Sequence, residues 1–136
     1  MIGALILVLS IGTLLEFFVS YCRAQLAAFR NIGLSDQVRE ATGVLGGPVD
    51  AGEFAALVGL SRLCPGPQNR GRGVTAVCIY YRLLCFANAA SSPFMPAVLA
   101  WVERERFGCA HFAAVILDRQ ISYNREMIAE QFANSL

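Results

Sequence analysis

Ile2-Gly-Ala-Leu-Ile-Leu-Val-Leu-Ser-Ile-Gly-Thr-Leu-Leu-Glu-Phe-Phe-Val-Ser-Tyr-Cys22 decides how the rest of the chain is read. Glu16 is its only charged residue. At a helical rise of 1.5 Å per residue, the stretch is long enough to cross the roughly 30 Å hydrocarbon core of a bilayer. A cleaved signal peptide fits less well, because no Lys or Arg precedes the apolar run and the first base is Arg23. A lipoprotein would modify Cys22, but Tyr21 is bulky where a small residue is needed. A core helix of a soluble protein is the main competitor, since Glu16 limits the strictly uncharged run to 2–15.

Orientation follows from the bases. Arg23, Arg30 and Arg39 lie C-terminal to the run, and only the α-amino group precedes it. The positive-inside rule then predicts a short N-terminus outside and the remaining chain in the cytoplasm, at the inner (plasma) membrane of the cell. A carboxylate in hydrocarbon is costly unless it is paired, protonated or able to reach the interface. Thr13, Glu16, Ser20 and Arg23 fall within roughly 80° of one another on a helix, forming one narrow polar stripe. The stripe fits either Glu16 reaching the headgroups or a helix–helix contact through Thr13, Glu16 and Ser20.

The chain has 136 residues, and those beyond the apolar helix suffice for one small domain. Residues 1–30 are expected to form the anchor helix and its cytoplasmic extension, and 31–136 a cytoplasmic helical domain. The fold class is all-α: one transmembrane helix continuing into a small bundle of about four helices. A net charge of +1 gives no field that would recruit nucleic acid. Every base is Arg. Cys22, Cys64, Cys78, Cys85 and Cys109 form an odd set with no C-x-x-C spacing. In the cytoplasm they are expected to stay reduced and pack as small hydrophobes.

The first helix can run on through Arg23-Ala-Gln-Leu-Ala-Ala-Phe-Arg30 to Asn31, so that Leu26 and Phe29 pack against the domain. Ser35 caps a short helix over 36–42. Asp50 and Glu53 have the capping-box spacing for a helix over 51–64, with Phe54, Leu57, Val58, Ser61 and Cys64 on one face. Pro65 to Gly73 reads as a loop, and 74–89 as a helix. Ser91-Ser92-Pro93 offers the next helix start. From there to about Asn134, a seam of Leu99, Val102, Arg106, Cys109, Ala113, Ile116, Gln120, Tyr123 and Met127 predicts one long helix, or two bent near Gly108. Leu83 to Val102 carries no charge, yet Asn88, Ser91, Ser92, Pro93 and Pro96 favour a turn between two buried helices over a second span.

No P-loop, H-E-x-x-H or G-x-S-x-G motif is present, and no small-molecule substrate is indicated. Gly71-x-Gly73-x-x-Ala76 loosely fits a dinucleotide pattern but lacks the strand it requires. His111 is the sole histidine, and Cys109 two residues earlier points to another helix face. No catalytic, cofactor or metal residue is assigned, and no cofactor is expected. A cysteine-based metal or redox site is the alternative reading. From Phe54 to Val102 there is no acidic residue, while Arg62, Arg70, Arg72 and Arg82 occur. Beside a cytoplasmic leaflet, Arg62, Arg70 and Arg72 can rest on anionic membrane lipid at roughly 1 kcal/mol each.

Phe17-Phe-Val-Ser-Tyr-Cys-Arg23, Val38-Arg-Glu-Ala-Thr-Gly43, Leu63-Cys-Pro65, Tyr80-Tyr81 and Trp101-Val-Glu-Arg-Glu-Arg106, with 109–124 following, span most of the chain. On these stretches it resembles a group of small uncharacterised bacterial membrane-anchored proteins. The resemblance implies membrane attachment and no catalytic residue. The function expected is that of a non-enzymatic scaffold, meeting membrane lipid and another membrane protein or a second copy of itself.

Overall fold

In the computed structural model, residues 1–42, 50–64, 71–91 and 95–135 are described. Among them there are five helices and no strand: α1 (Ile2–Arg30), α2 (Asp36–Thr42), α3 (Ala51–Leu63), α4 (Gly71–Ser91) and α5 (Pro96–Asn134). The all-α class and the long apolar first helix are therefore as the sequence predicts.

The termini follow local chemistry. The α1 helix closes at Asn31, whose N–H donates to the Phe29 carbonyl, with Arg30 in the last turn where its charge suits the helix dipole. Asp50 and Glu53 form the reciprocal capping box that opens α3. Ser61, the polar interruption in the apolar face of α3, is buried and donates to the Val58 carbonyl at 2.8 Å. The α4 helix extends beyond the expected 74–89 at both ends.

The start of α5 differs from the sequence reading. It begins at Pro96 with Met95 extended before it, rather than at Ser91-Ser92-Pro93, of which 92 and 93 lie outside the described residues. Two prolines competed for the first turn, and Pro96 restricts Met95 to the extended backbone observed. Once started, α5 runs unbroken for 39 residues through Gly108. A Cβ there would meet Leu26 Cδ1 at an ordinary 3.6 Å, so α1 packs over this position at a distance that an alanine would also allow.

The centre of the bundle is the middle of α5. Cys109, Ala110, Phe112, Ala113, Ala114, Val115, Ile116 and Leu117 are all buried, so this segment is covered on nearly every side, with only His111 half-buried. The second half of α1 packs on it through Cys22 and Leu26, and Phe29 meets Phe112 edge-on at 4.8 Å. The α3 helix contributes Phe54, Leu57 and Val58, and α4 contributes Val77, Tyr80, Tyr81 and Leu84. Phe54 stacks on Tyr81 at 3.9 Å and 16°, an aromatic pair worth about 1 kcal/mol beyond its buried area. The helix α2 is tied on by Ser35, whose hydroxyl and N–H both donate to the Asp118 carboxylate, and by Arg125, which donates to Gln37 Oε1 at 2.9 Å.

Candidate functional site

The first half of α1 is without packing partners among the described residues. Every residue from Met1 to Phe17 is exposed, and half-burial begins at Phe18 and Val19. By length and composition α1 is apolar enough to cross a membrane. So is 73–90 within α4, but that segment buries Val77, Tyr80, Tyr81 and Leu84 against its neighbours. Residues 83–102 are not one helix, because α4 ends at Ser91 and α5 begins at Pro96. The turn expected between them falls on 92–94, outside the described residues, and the helix ends beside it are not buried as expected: Phe86 is 74% and Met95 60% exposed.

Thr13, Glu16 and Ser20 are all exposed on α1. The Thr13 hydroxyl donates within its own helix to the Leu9 and Ser10 carbonyls, at 3.1 and 3.0 Å. That satisfies its donor while leaving its acceptor lone pairs open. Of the arginines expected to face lipid, Arg62 is exposed near the end of α3. Arg70 lies outside the described residues, as does the side chain of Arg72. Arg82, which the sequence places in the same acid-free stretch without a lipid assignment, lines one groove with Arg62, Cys78 and Tyr81, about 610 Å³ in volume.

Where α1 leaves its exposed section, three helices are bound by one polar triad. Tyr80 of α4 donates its hydroxyl to Glu105 Oε2 of α5 at 3.1 Å, and Arg23 Nε of α1 lies 3.4 Å from Glu105 Oε1. Burial, and then the adjacent Glu105 charge, push the Tyr80 phenol far above its ordinary range. A neutral tyrosine is thereby held as a donor to a carboxylate, a structural role in which the proton is not released. Beside it, Arg106 donates to the Tyr81 hydroxyl at 3.1 Å while lying over its ring. Tyrosine and charge together at one level could have been suspected from Tyr80-Tyr81 and Glu103-Arg-Glu-Arg106, but their pairing across helices is not a local signal.

The cysteines are dispersed. Cys22 and Cys109 are fully buried, and Cys64, Cys78 and Cys85 half-buried, all as free thiols. Burial, and then the Glu105 charge, push the Cys109 thiol far above its normal value, away from the nucleophilic thiolate. Burial also raises Cys78, opposed by Arg62 and Arg82. Among the described residues, no three His, Cys, Asp or Glu side chains are arranged to hold a metal. His111 is half-buried within the core segment of α5, and its Nε2 has no hydrogen-bond partner among the described residues. The Gly71-x-Gly73 pattern sits at the start of α4 with no strand among the described residues, so the backbone geometry of a dinucleotide fold is not formed.

On the other side of α5, α2 and α3 border a groove of about 630 Å³. Leu57, Leu60, Leu117 and Ile121 give it an apolar floor, with Glu53 and Arg125 at its edge. From this groove α5 continues with Tyr123, Met127, Ile128 and Phe132 exposed. The seam read from the sequence is therefore packed as far as Ile116, half-buried at Gln120 and exposed at Tyr123 and Met127.

Comparison of the chain with protein-family models, curated proteins and solved structures found no match.

Proposed function

We propose that the chain is a non-enzymatic, single-span membrane protein whose helical domain makes contacts at the cytoplasmic face of a bacterial inner membrane. The observation that carries this reading is the exposure of the whole apolar run from Ile2 to Phe17 on a helix whose second half is built into the core. Leaving so much apolar surface in water costs about 25 cal/mol per Å², which a bilayer relieves. Arg23, Arg30 and Arg39 after the run favour the N-terminus outside and the domain inside.

The contact role is supported by the groove between α2, α3 and α5 and by the uncovered apolar residues at the end of α5. The partner in this proposal is another membrane protein or a second copy of the chain, and kinship with small bacterial membrane-anchored proteins belongs to it. Alkaline carbonate extraction of membranes containing the full chain tests the anchor, with the intact mass of the recovered protein measured alongside. The expected result is retention in the pellet with Met1–Cys22 still attached. Release into the supernatant, or a mass lacking the apolar run, would refute it.

A further inference from the structure

We infer that the neighbouring uncharged ends of α4, from Leu83 on, and of α5, from Met95 to Val102, form the tip of a second membrane-contacting element, seated in the acyl–headgroup boundary of the leaflet from which α1 emerges. The inference rests on α1 being the anchor and adds a lipid-binding site to it.

The placement comes from register. Arg23 pairs with Glu105, Leu26 abuts Gly108 and Phe29 meets Phe112, pairs separated by 82 or 83 positions. So α1 and α5 run parallel, side by side. The α4 helix runs the opposite way, pairing Tyr80 with Glu105, Tyr81 with Arg106 and Gly73 with Phe112. Carried along the helices, these registers set Arg23, Arg82, Glu103 and Arg104 within roughly one turn, or about 5 Å, of a common level. All four are exposed, and Arg62 shares a groove with Arg82.

On the anchor side of this charged collar, the three helices carry only Glu16. The α4 helix has no charge after Arg82, and α5 none before Glu103. The surfaces they present there include Leu83, Phe86 and Met95, all exposed and apolar, with Trp101 half-buried just below the collar. A tip pointing into water would be expected to carry charges; here they stop at the level where Arg23 ends the apolar run of α1.

The depth is consistent with a tip that enters without crossing. From Glu103 to Pro96 the descent is about 10 Å at the helical rise. Interfacial elements lie roughly 5–10 Å into the boundary, well short of the far leaflet. Arginines at the collar would meet anionic headgroups, and Trp101 is the amphipathic ring that favours this zone.

The test uses the full chain in phosphatidylcholine–phosphatidylglycerol vesicles, with a tryptophan at the tip from Met95→Trp in a Trp101→Phe background. Unmutated protein, with Trp101 as its only tryptophan, supplies a second probe that needs no substitution. Flotation is read in parallel. The expected result is emission strongly quenched by lipids brominated on the acyl chains and little quenched by aqueous acrylamide, with Met95→Trp quenched more by bromine than Trp101. Floating protein whose tip is quenched by acrylamide alone would overturn the second element while leaving the anchor standing. Quenching by neither would show the tip covered by protein and would also overturn it. Protein that fails to float would remove the anchor and the second element together.

Discussion

Tyr80 carries more of the assembly than its place in an apolar helix suggests. It is almost completely buried, and its hydroxyl meets the carboxylate that also receives Arg23. Tyr80→Phe removes one hydrogen bond to a charged acceptor and should lower stability near neutral pH by about 1.5–3 kcal/mol. Its pH signature follows from linkage. The unfolded phenol titrates near 10.0, whereas the folded one is raised by burial and by Glu105. The stabilisation is then fully present below pH 10 and is lost as pH climbs through the folded value. Tyr81 and Cys109 are also raised by burial. Denaturant titrations should therefore show an alkaline decline starting near pH 9–10 that is shallower, not absent, in Tyr80→Phe. An unchanged alkaline slope would mean that Tyr80 titrates alike in both states.

At the same scale, Glu16 separates an anchor from a contact. If it only reaches the headgroups, Glu16→Leu eases insertion and leaves association unchanged. If Thr13, Glu16 and Ser20 meet a second helix, Glu16→Leu should weaken self-association or partner capture in detergent by up to about tenfold, since hydrogen bonds in membranes reach roughly 2 kcal/mol. Leu7→Ala, on another face, should matter less. Equal association of Glu16→Leu and unmutated protein would dismiss the contact.

Among the elements, those with local punctuation were legible and those defined by distant neighbours were not. The Asp50–Glu53 box, the start of α2 directly after Ser35 and the stop at Asn31 each depend on a few consecutive residues, and these helix bounds fall where expected. The start of α5 slipped from Ser92 to Pro96 because either proline could occupy the first turn. Periodicity gave α5 a single packing seam, whereas from Cys109 to Leu117 every residue but the half-buried His111 is buried. The clue was the lack of charge through that segment, which a search for one apolar face overlooks. Conversely, the seam continues through Tyr123 and Met127, which stand exposed on α5. Placing a stop codon after Glu126 should therefore leave the melting temperature of the domain nearly unchanged and reduce association with its partner. A drop of several degrees would show that the end of α5 supports the fold, since about 1 kcal/mol shifts a domain of this size by roughly 4–8 °C.

For the whole molecule, the sequence located the apolar helix but not how deeply the domain lies against it. That depth depends on the parallel register of α1 and α5 and on the triad of Arg23, Tyr80 and Glu105, pairings between residues far apart in the chain. With them, the exposed half of α1 and the charged collar fit the proposed arrangement, in which the bundle is held with its uncharged end towards the bilayer. The central claim is that α1 holds this bundle on the cytoplasmic side. Paired fusions after Leu136, one to alkaline phosphatase and one to a reporter that folds only in the cytoplasm, measure it directly. The account predicts a bright cytoplasmic reporter and negligible phosphatase activity in the membrane fraction; strong phosphatase activity from the same position would contradict it.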